Sequence, residues 1–247
     1  MILSPSKSVN FVSEEIQVES GRPLFEKEAA RVHAGLKDYT VDEILRKEKV
    51  SLKIARAAYE SIQLFSLKNT GQKPAIFAFD GNAYDKLRVR DFDRKELNFL
   101  QNHLRIFSAL YGILSPFDLI KPYRLDMRSK LIDGLYDFWR EKVTAEISRL
   151  LSKDDRILVN LASNEYFKMI DVKKLPVGTR IIHLVFQQEK DGRYVTNALF
   201  AKHARGLMTR FVTEHEISAP DYLKAFDAEG YYFNPHLSEK DEWYFTR

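Results

Sequence analysis

The chain mixes two hydrophobic periodicities in no regular order, and this feature constrains its fold most strongly. Apolar residues that recur every three or four positions predict amphipathic helices, for example over 52–65 and 97–110. Short apolar runs predict strands over 156–161 and 180–190, and Asp191-Gly192 after the second run predicts a hairpin. Helices and strands that do not follow a βαβ rhythm are typical of the α+β class. We therefore expect a central mixed or antiparallel sheet surrounded by helices.

The length of the chain bounds its domain organisation. A chain of 247 residues allows one large domain or two small ones. No linker rich in proline, glycine or serine and no internal repeat divides it. We expect residues 1–247 to form a single domain, within which residues 20–70 are the segment that could form a separate helical lobe.

Composition excludes several classes of site. The absence of cysteine rules out disulfides, thiolate zinc sites and cysteine nucleophiles. The six histidines are scattered and no His-Glu-x-x-His or calcium-loop pattern occurs, so the sequence predicts no metal site and no cofactor. No apolar run approaches the roughly 18 residues of a membrane span, and residues 1–5 do not resemble a secretory signal. We expect a cytoplasmic protein without a membrane partner.

The 115–130 segment is the first of two basic stretches in a chain whose net charge is only +4. It carries Lys121, Arg124, Arg128 and Lys130, with Tyr123 among them. Basic groups interleaved with an aromatic ring suit a phosphate backbone and a stacking or hydrogen-bonding partner. The alternative is a solvated basic face, neutralised by ordinary ion pairs to acidic residues of the same segment.

The second basic stretch, 201–210, has helical spacing and contains Lys202, Arg205 and Arg210 without any acidic residue. Such a face could bind an anion, or it could simply pair with acidic neighbours. Gly206 weakens a helix interior, which predicts the close approach of another backbone or of a ligand at this position.

Two further segments carry weaker signals. Polar residues around Ser163 and Glu165 follow the predicted strand 156–161, where α/β sheets often place ligands; the alternative is a capped turn with Tyr166 in the core. The helix predicted over 97–110, the turn at Gly112 and a second short helix could form a helix–hairpin–helix element that binds a DNA phosphate. The alternative there is an ordinary αα-hairpin.

Eight sequence blocks occur in one characteristic order: ILSPSKS (2–8), FDGNAY (79–84), LRIFSALYGIL (104–114), PFDLIKPYRLDM (116–127), LYDFW (135–139), VNLASNEYF (159–167), AKHARGLMTRF (201–211) and FDAEGYYF (226–233). In these blocks the chain resembles the bacterial YaaA family of peroxide stress resistance proteins over essentially its whole length. It departs from the family pattern at Asn82, where Asp is frequent, at Ala109, where Gly is frequent, and at His203, where Lys is frequent.

The resemblance implies a cytoplasmic bacterial protein that is induced by peroxide stress, binds DNA, protects it from oxidative damage and lowers free intracellular iron. It also implies an α+β fold with a basic cleft and a helix–hairpin–helix element. No catalytic reaction is attached to the family, so the chain is not expected to be an enzyme on this ground.

We predict sequence-independent binding to DNA, whether plain duplex, bubble or junction, because phosphate contacts carry no direct base information. The predicted contacts are Lys7, Lys121, Tyr123, Arg124, Arg128, Lys202, Arg205 and Arg210, with Lys168 as a weaker candidate and Gly112 in the hairpin. Neutralising about five phosphates would make the logarithm of the binding constant fall with a slope of about −4 to −5 against the logarithm of salt concentration.

The alternative hypothesis is an enzyme that acts on a small anionic or nucleotide-like ligand in the same cleft. Lys7 would then bind the anion and Glu165 would act as a general base. The polar pocket predicted for this ligand comprises Ser4, Asp80, Asn160, Ser163, Glu165 and Tyr166. Direct sequestration of iron is the least favoured hypothesis, because cysteine is absent and the histidines are scattered.

Overall fold

The computed structural model describes residues 1–67 and 69–247. Within these residues the helices, numbered α1 to α9, span Glu26–Ala34, Val41–Glu48, Leu52–Ser66, Ala75–Ala78, Asn82–Leu87, Arg94–His103, Leu135–Leu151, Asn164–Phe167 and Ala198–Glu214. The strands, numbered β1 to β12, span Ile2–Leu3, Ser8–Val9, Lys73–Pro74, Phe79–Asp80, Arg105–Ser108, Gly112–Leu114, Leu119–Ile120, Ile157–Leu161, Arg180–Lys190, Arg193–Val195, Tyr232–Phe233 and Glu242–Thr246.

Several helices begin where local side-chain chemistry satisfies their free backbone amides. Thr40 and Glu43 form a reciprocal capping box at the start of α2, and Asp93 and Glu96 form another at the start of α6. Ser51 accepts a hydrogen bond from the amide of Ile54 and so caps α3. These starts follow directly from the sequence pattern.

The principal sheet has the order β11-β12-β9-β8-β1-β5-β6, with β10 paired to β9. Its interior pairs, from β12 through β9, β8 and β1 to β5, are all parallel, whereas β11, β6 and β10 add antiparallel. The predicted α+β class and mixed sheet are confirmed, and the sheet is mostly parallel. The β9–β10 hairpin at Asp191-Gly192 is also confirmed.

One buried cluster of apolar side chains runs through the fold. Trp139 and Phe107 are fully buried in it, and Ala29 of α1 and Ala55 of α3 belong to the same cluster. The 20–70 segment therefore packs against the apolar core that also covers the sheet. No helix in the described part of the chain combines the length and the apolar character that a membrane span requires.

The predicted helix–hairpin–helix element is wrong. Helix α6 ends at His103, and the chain continues as β5, which turns back antiparallel into β6. Leu104, Ile106 and Phe107 are buried because β5 lies inside the sheet, and such an apolar run is hard to distinguish from the buried face of a helix by spacing alone. Gly112 begins β6 with a φ of +73°, and an added Cβ would lie 2.6 Å from the Trp139 ring.

Helix α9 packs so closely on α5 that only glycine fits at the contact. A Cβ at Gly206 would lie 1.9 Å from the carbonyl oxygen of Ala83. The predicted close approach of another backbone at Gly206 is therefore confirmed, and α5 provides that backbone.

Candidate functional site

Two serines meet beyond the carboxyl ends of adjacent parallel strands. Ser4 follows β1 and Ser163 lies two residues after β8, and these strands pair directly. The amide of Ser163 donates to Ser4 Oγ at 2.9 Å, and the two hydroxyl oxygens are 3.3 Å apart. The Ser163 side chain makes no capping bond to α8. Carboxyl ends of parallel strands are where open sheets commonly bind ligands, so this edge is the candidate site.

Charged side chains surround the two serines and form two ion pairs. Lys7 Nζ lies 2.5 Å from Asp126 Oδ2, and Arg128 Nε lies 3.5 Å from Glu165 Oε2. Arg124 donates to the carbonyl oxygen of Lys7 at 2.9 Å, which joins the 115–130 segment to the loop after β1. We call this set the edge cluster: Ser4, Lys7, Arg124, Asp126, Arg128, Ser163 and Glu165.

The edge cluster presents its cations to solvent and holds its carboxylates underneath. The side chains of Lys7 and Arg128 are 61% and 71% exposed, whereas those of Asp126 and Glu165 are only 15% and 17% exposed. The surface that a partner would meet is therefore basic, although each cation has an acidic partner.

Glu165 is the most perturbed carboxylate of this edge. Burial raises its pKa above the ordinary value, and nearby Asp126 adds to that effect, while Arg128 and Lys7 oppose it. The amide of Met127 donates to Glu165 Oε1 at 3.2 Å. A carboxyl group held in this way can accept or release a proton closer to neutrality than a solvated one.

Lys121 and Tyr123 anchor the 115–130 segment to the rest of the protein. The Lys121 ammonium donates to the carbonyl oxygens of Phe65 and Leu67 at 2.9 and 2.8 Å. Tyr123 is buried, and its hydroxyl lies 2.7 Å from Ser108 Oγ. Both predicted phosphate contacts thus spend their polar groups on internal hydrogen bonds.

The remaining residues of the predicted polar pocket support its frame. Asn160 is buried and bonds to the amide of Ala162 and to His183 Nδ1, both at 2.9 Å. Tyr166 is also buried, which raises its pKa. Asp80 is exposed, and its backbone pairs with Ser8 between β2 and β4. The structure thus brings Ser4, Ser163 and Glu165 together and leaves these three residues around them.

The cations of α9 lie in three different environments. Lys202 is exposed near the start of the helix, and Arg205 is largely buried. Arg210 is paired with Asp91 and Glu214, at 3.3 and 2.6 Å. The predicted basic stripe is therefore divided between solvent, interior and ion pairs.

Sequence reasoning missed one supporting residue, Tyr136 of the LYDFW block. Its hydroxyl donates to the carbonyl oxygen of Glu165 at 3.0 Å, and so fixes the start of α8. The block itself was the only signal for this role. Among the described residues, no group of three or more His, Asp or Glu side chains is arranged to hold a metal ion.

Comparison with known proteins places this arrangement in a family. The family described as peroxide stress protein YaaA matches residues 1–237. A UPF0246 protein from Francisella philomiragia is 37% identical over 254 residues, covering 100% of this chain and 99% of the relative. Another from Clostridium perfringens is 38% identical over 252 residues, covering 100% of this chain and 98% of that relative. The chain therefore belongs to the YaaA family of peroxide stress proteins.

Proposed function

We propose that this protein acts in the oxidative stress response by binding DNA through phosphate contacts at the edge cluster. Membership of a family of peroxide stress proteins supports the role in that response. The observation that carries DNA binding is the layering of charge, with exposed Lys7 and Arg128 above shielded Asp126 and Glu165. Cations that point outward from a rigid edge can reach phosphates, while the carboxylates beneath fix their positions.

The expected contacts are the cations that solvent can reach at this end of the sheet. They are Lys7, Arg124 and Arg128 of the edge cluster, together with Lys168 and Lys202. Five phosphate contacts give an expected slope of about −4.5 in the plot of log binding constant against log salt. Contacts of this kind make binding independent of sequence.

Fluorescence anisotropy with duplex, bubbled and four-way-junction DNA at several salt concentrations tests the proposal. Arg128→Gln should weaken binding to all three DNA forms and reduce the slope by about one, because one phosphate contact is lost. Lys95→Gln is the matched control, since Lys95 is also an exposed cation paired with a carboxylate, Glu216, on α6. Equal losses in the two variants, or wild-type binding without salt dependence, would refute the edge cluster as the DNA surface.

A second candidate function is favoured by the position of Glu165 beside the paired serines. A carboxyl group with a raised pKa next to two hydroxyls is suited to general acid–base chemistry on a small anionic or nucleotide-like substrate. Incubation with nucleotides and phosphorylated metabolites, followed by mass spectrometry, would detect turnover. Glu165→Gln should abolish that turnover while leaving ligand binding intact. An unchanged rate in Glu165→Gln would exclude this role.

A further inference from the structure

Arg205 is a largely buried cation for which the described protein supplies no partner. Its Nε is sealed from solvent and has no hydrogen-bond partner, although the side chain as a whole is only half-buried. Burial alone lowers the pKa of the guanidinium, with no nearby carboxylate of the described chain to oppose it. Burying an uncompensated charge is costly, so such a group calls for an external anion.

Arg105 shows how this protein treats a buried guanidinium that has a structural role. Its Nη1 donates to the carbonyl oxygens of Gln101 and Leu104, at 2.9 and 2.6 Å, and Glu146 and Asp118 lie near enough to raise its pKa. Arg205 has none of these compensations among the described residues. The contrast separates a cation that holds the fold together from one that is left available.

The geometry of α9 directs Arg205 toward the carboxyl edge of the sheet. Val212 lines a cavity with Met1 and Ile157, at the amino ends of β1 and β8. Arg205 is two helical turns earlier on the same side of α9, which is about 10 Å along its axis. About 10 Å is also the length of three strand residues, and it leads from the amino end of β1 to the level of Ser4.

The packing of α9 on α5 supports the same placement. Gly206, the next residue after Arg205, contacts the backbone of Ala83. The residue after Ala83 is Tyr84, whose hydroxyl donates to the carbonyl oxygen of Ser4 at 2.9 Å. Arg205 and Ser4 are thus connected through one pair of neighbouring residues on α5.

We propose that Arg205 is the buried receptor for the phosphate group of a small ligand that enters at the carboxyl edge, between α9 and the Ser4–Ser163 pair. A guanidinium offers donors in a fork that matches phosphate geometry, and serine hydroxyls can donate to the remaining oxygens. The exposed cations at the same end, Lys202 and Lys7, favour a doubly charged phosphate monoester over a singly charged carboxylate. This site does not depend on duplex binding, because a buried guanidinium is out of reach of a DNA backbone.

The test compares the thermal unfolding and ligand binding of the full chain and of three variants at constant ionic strength. The probes are inorganic phosphate, adenosine 5′-monophosphate and acetate, with affinities measured by calorimetry. We expect both phosphate probes to raise the Tm of the wild type and acetate to leave it unchanged. Arg205→Met should bind adenosine 5′-monophosphate about 30-fold more weakly or not at all. Arg193→Met, which removes an exposed arginine of β10, should behave as the wild type.

Stability without ligand gives a second readout that a merely structural arginine would not produce. Arg205→Met should unfold at the same or a higher temperature than the wild type, because it removes a buried charge without breaking a hydrogen bond. If Arg205→Met does not fold, Arg205→Lys keeps the charge but loses the fork and should bind the phosphate probes more weakly. Undiminished binding by the variant that folds, or no response of the wild type to either phosphate probe, would overturn the proposal.

The identity of the phosphate source is separated by one more probe. A short single-stranded oligonucleotide is offered with and without a 5′-phosphate. A response to adenosine 5′-monophosphate that depends on Arg205 supports a small phosphorylated ligand. A response that depends on Arg205 and occurs only with the 5′-phosphorylated oligonucleotide would instead overturn the small-ligand assignment in favour of a nucleic-acid end.

Discussion

The 115–130 segment and helix α9 are similar basic stretches in sequence, yet they dispose of their charges in opposite ways. The 115–130 segment buries its carboxylates, with Asp118 only 7% exposed, and turns Arg128 outward. Helix α9 buries Arg205 and neutralises Arg210 with Asp91 and Glu214, so that only Lys202 of its cations is exposed.

The difference comes from what each stretch packs against. Helix α9 lies between α5 and the sheet, so successive side chains are forced to face one or the other. The 115–130 segment is mostly irregular and can turn its long cations away from its anchors, Lys121 and Tyr123. A count of basic residues therefore says little about a binding surface until the secondary structure that carries them is known.

The largest expected effect comes from breaking the packing that fixes α9. Gly206→Ala should destabilise the protein by about 3 kcal/mol or more, because the added methyl meets the Ala83 carbonyl, which cannot move without shifting α5. The corresponding loss in Tm is at least about 6 °C. Gly71→Ala is the control, since nothing lies within 4 Å of a Cβ there. Similar melting curves for both variants would show that α9 can move away from α5.

The buried acid of the 115–130 segment predicts a pH effect. Burial raises the pKa of Asp118 from 3.8 to about 6. The native state therefore holds this proton more tightly than the unfolded chain, and stability falls as pH rises between about 4 and 6. Asp118→Asn should remove this loss and unfold at higher denaturant at neutral pH, by up to about 3 kcal/mol. An Asp118→Asn variant that is less stable than the wild type at pH 7 would show that the ionised carboxylate is needed.

A smaller effect is expected from removing a carboxylate beneath the exposed cations. Asp126→Asn frees Lys7 from its ion pair and should tighten duplex binding severalfold at low salt, about what one extra phosphate contact contributes. Asp221→Asn is the control, because it also frees a lysine, Lys224, but lies outside the edge cluster. Weaker binding by Asp126→Asn would mean that Asp126 serves chiefly to position Lys7.

The smallest effect is expected at the paired end of α9. Arg210→Gln loses two partly exposed ion pairs and the contact of its guanidinium with the Phe92 ring, worth about 1 kcal/mol in all. Duplex affinity and its salt slope should stay at the wild-type values, since this cation is already engaged by acidic partners. A loss of affinity as large as that of Arg128→Gln would place α9 in the DNA surface and remove the contrast between the two stretches.

Local patterns predicted much of the fold, and they failed where a buried strand resembled a helix. The capping boxes at Thr40 and Asp93 and the turn at Asp191-Gly192 depend on neighbouring residues, so the sequence contains the information needed to predict them. Strand β5 depends on pairing with β1, about a hundred residues away, and its apolar run matched a helical spacing equally well.

The sequence by itself determined the family, the α+β class and which residue types could bind an anion, because these follow from local order and composition. Only the tertiary structure decided which of those residues meet. Ser4 and Ser163 are brought into contact by the pairing of β1 with β8. Lys7 and Asp126 are joined across more than a hundred residues of chain, and Arg205 is left without a partner by the packing around it. The physical reason is that the charge state and exposure of a side chain depend on long-range neighbours, which spacing along the chain does not specify.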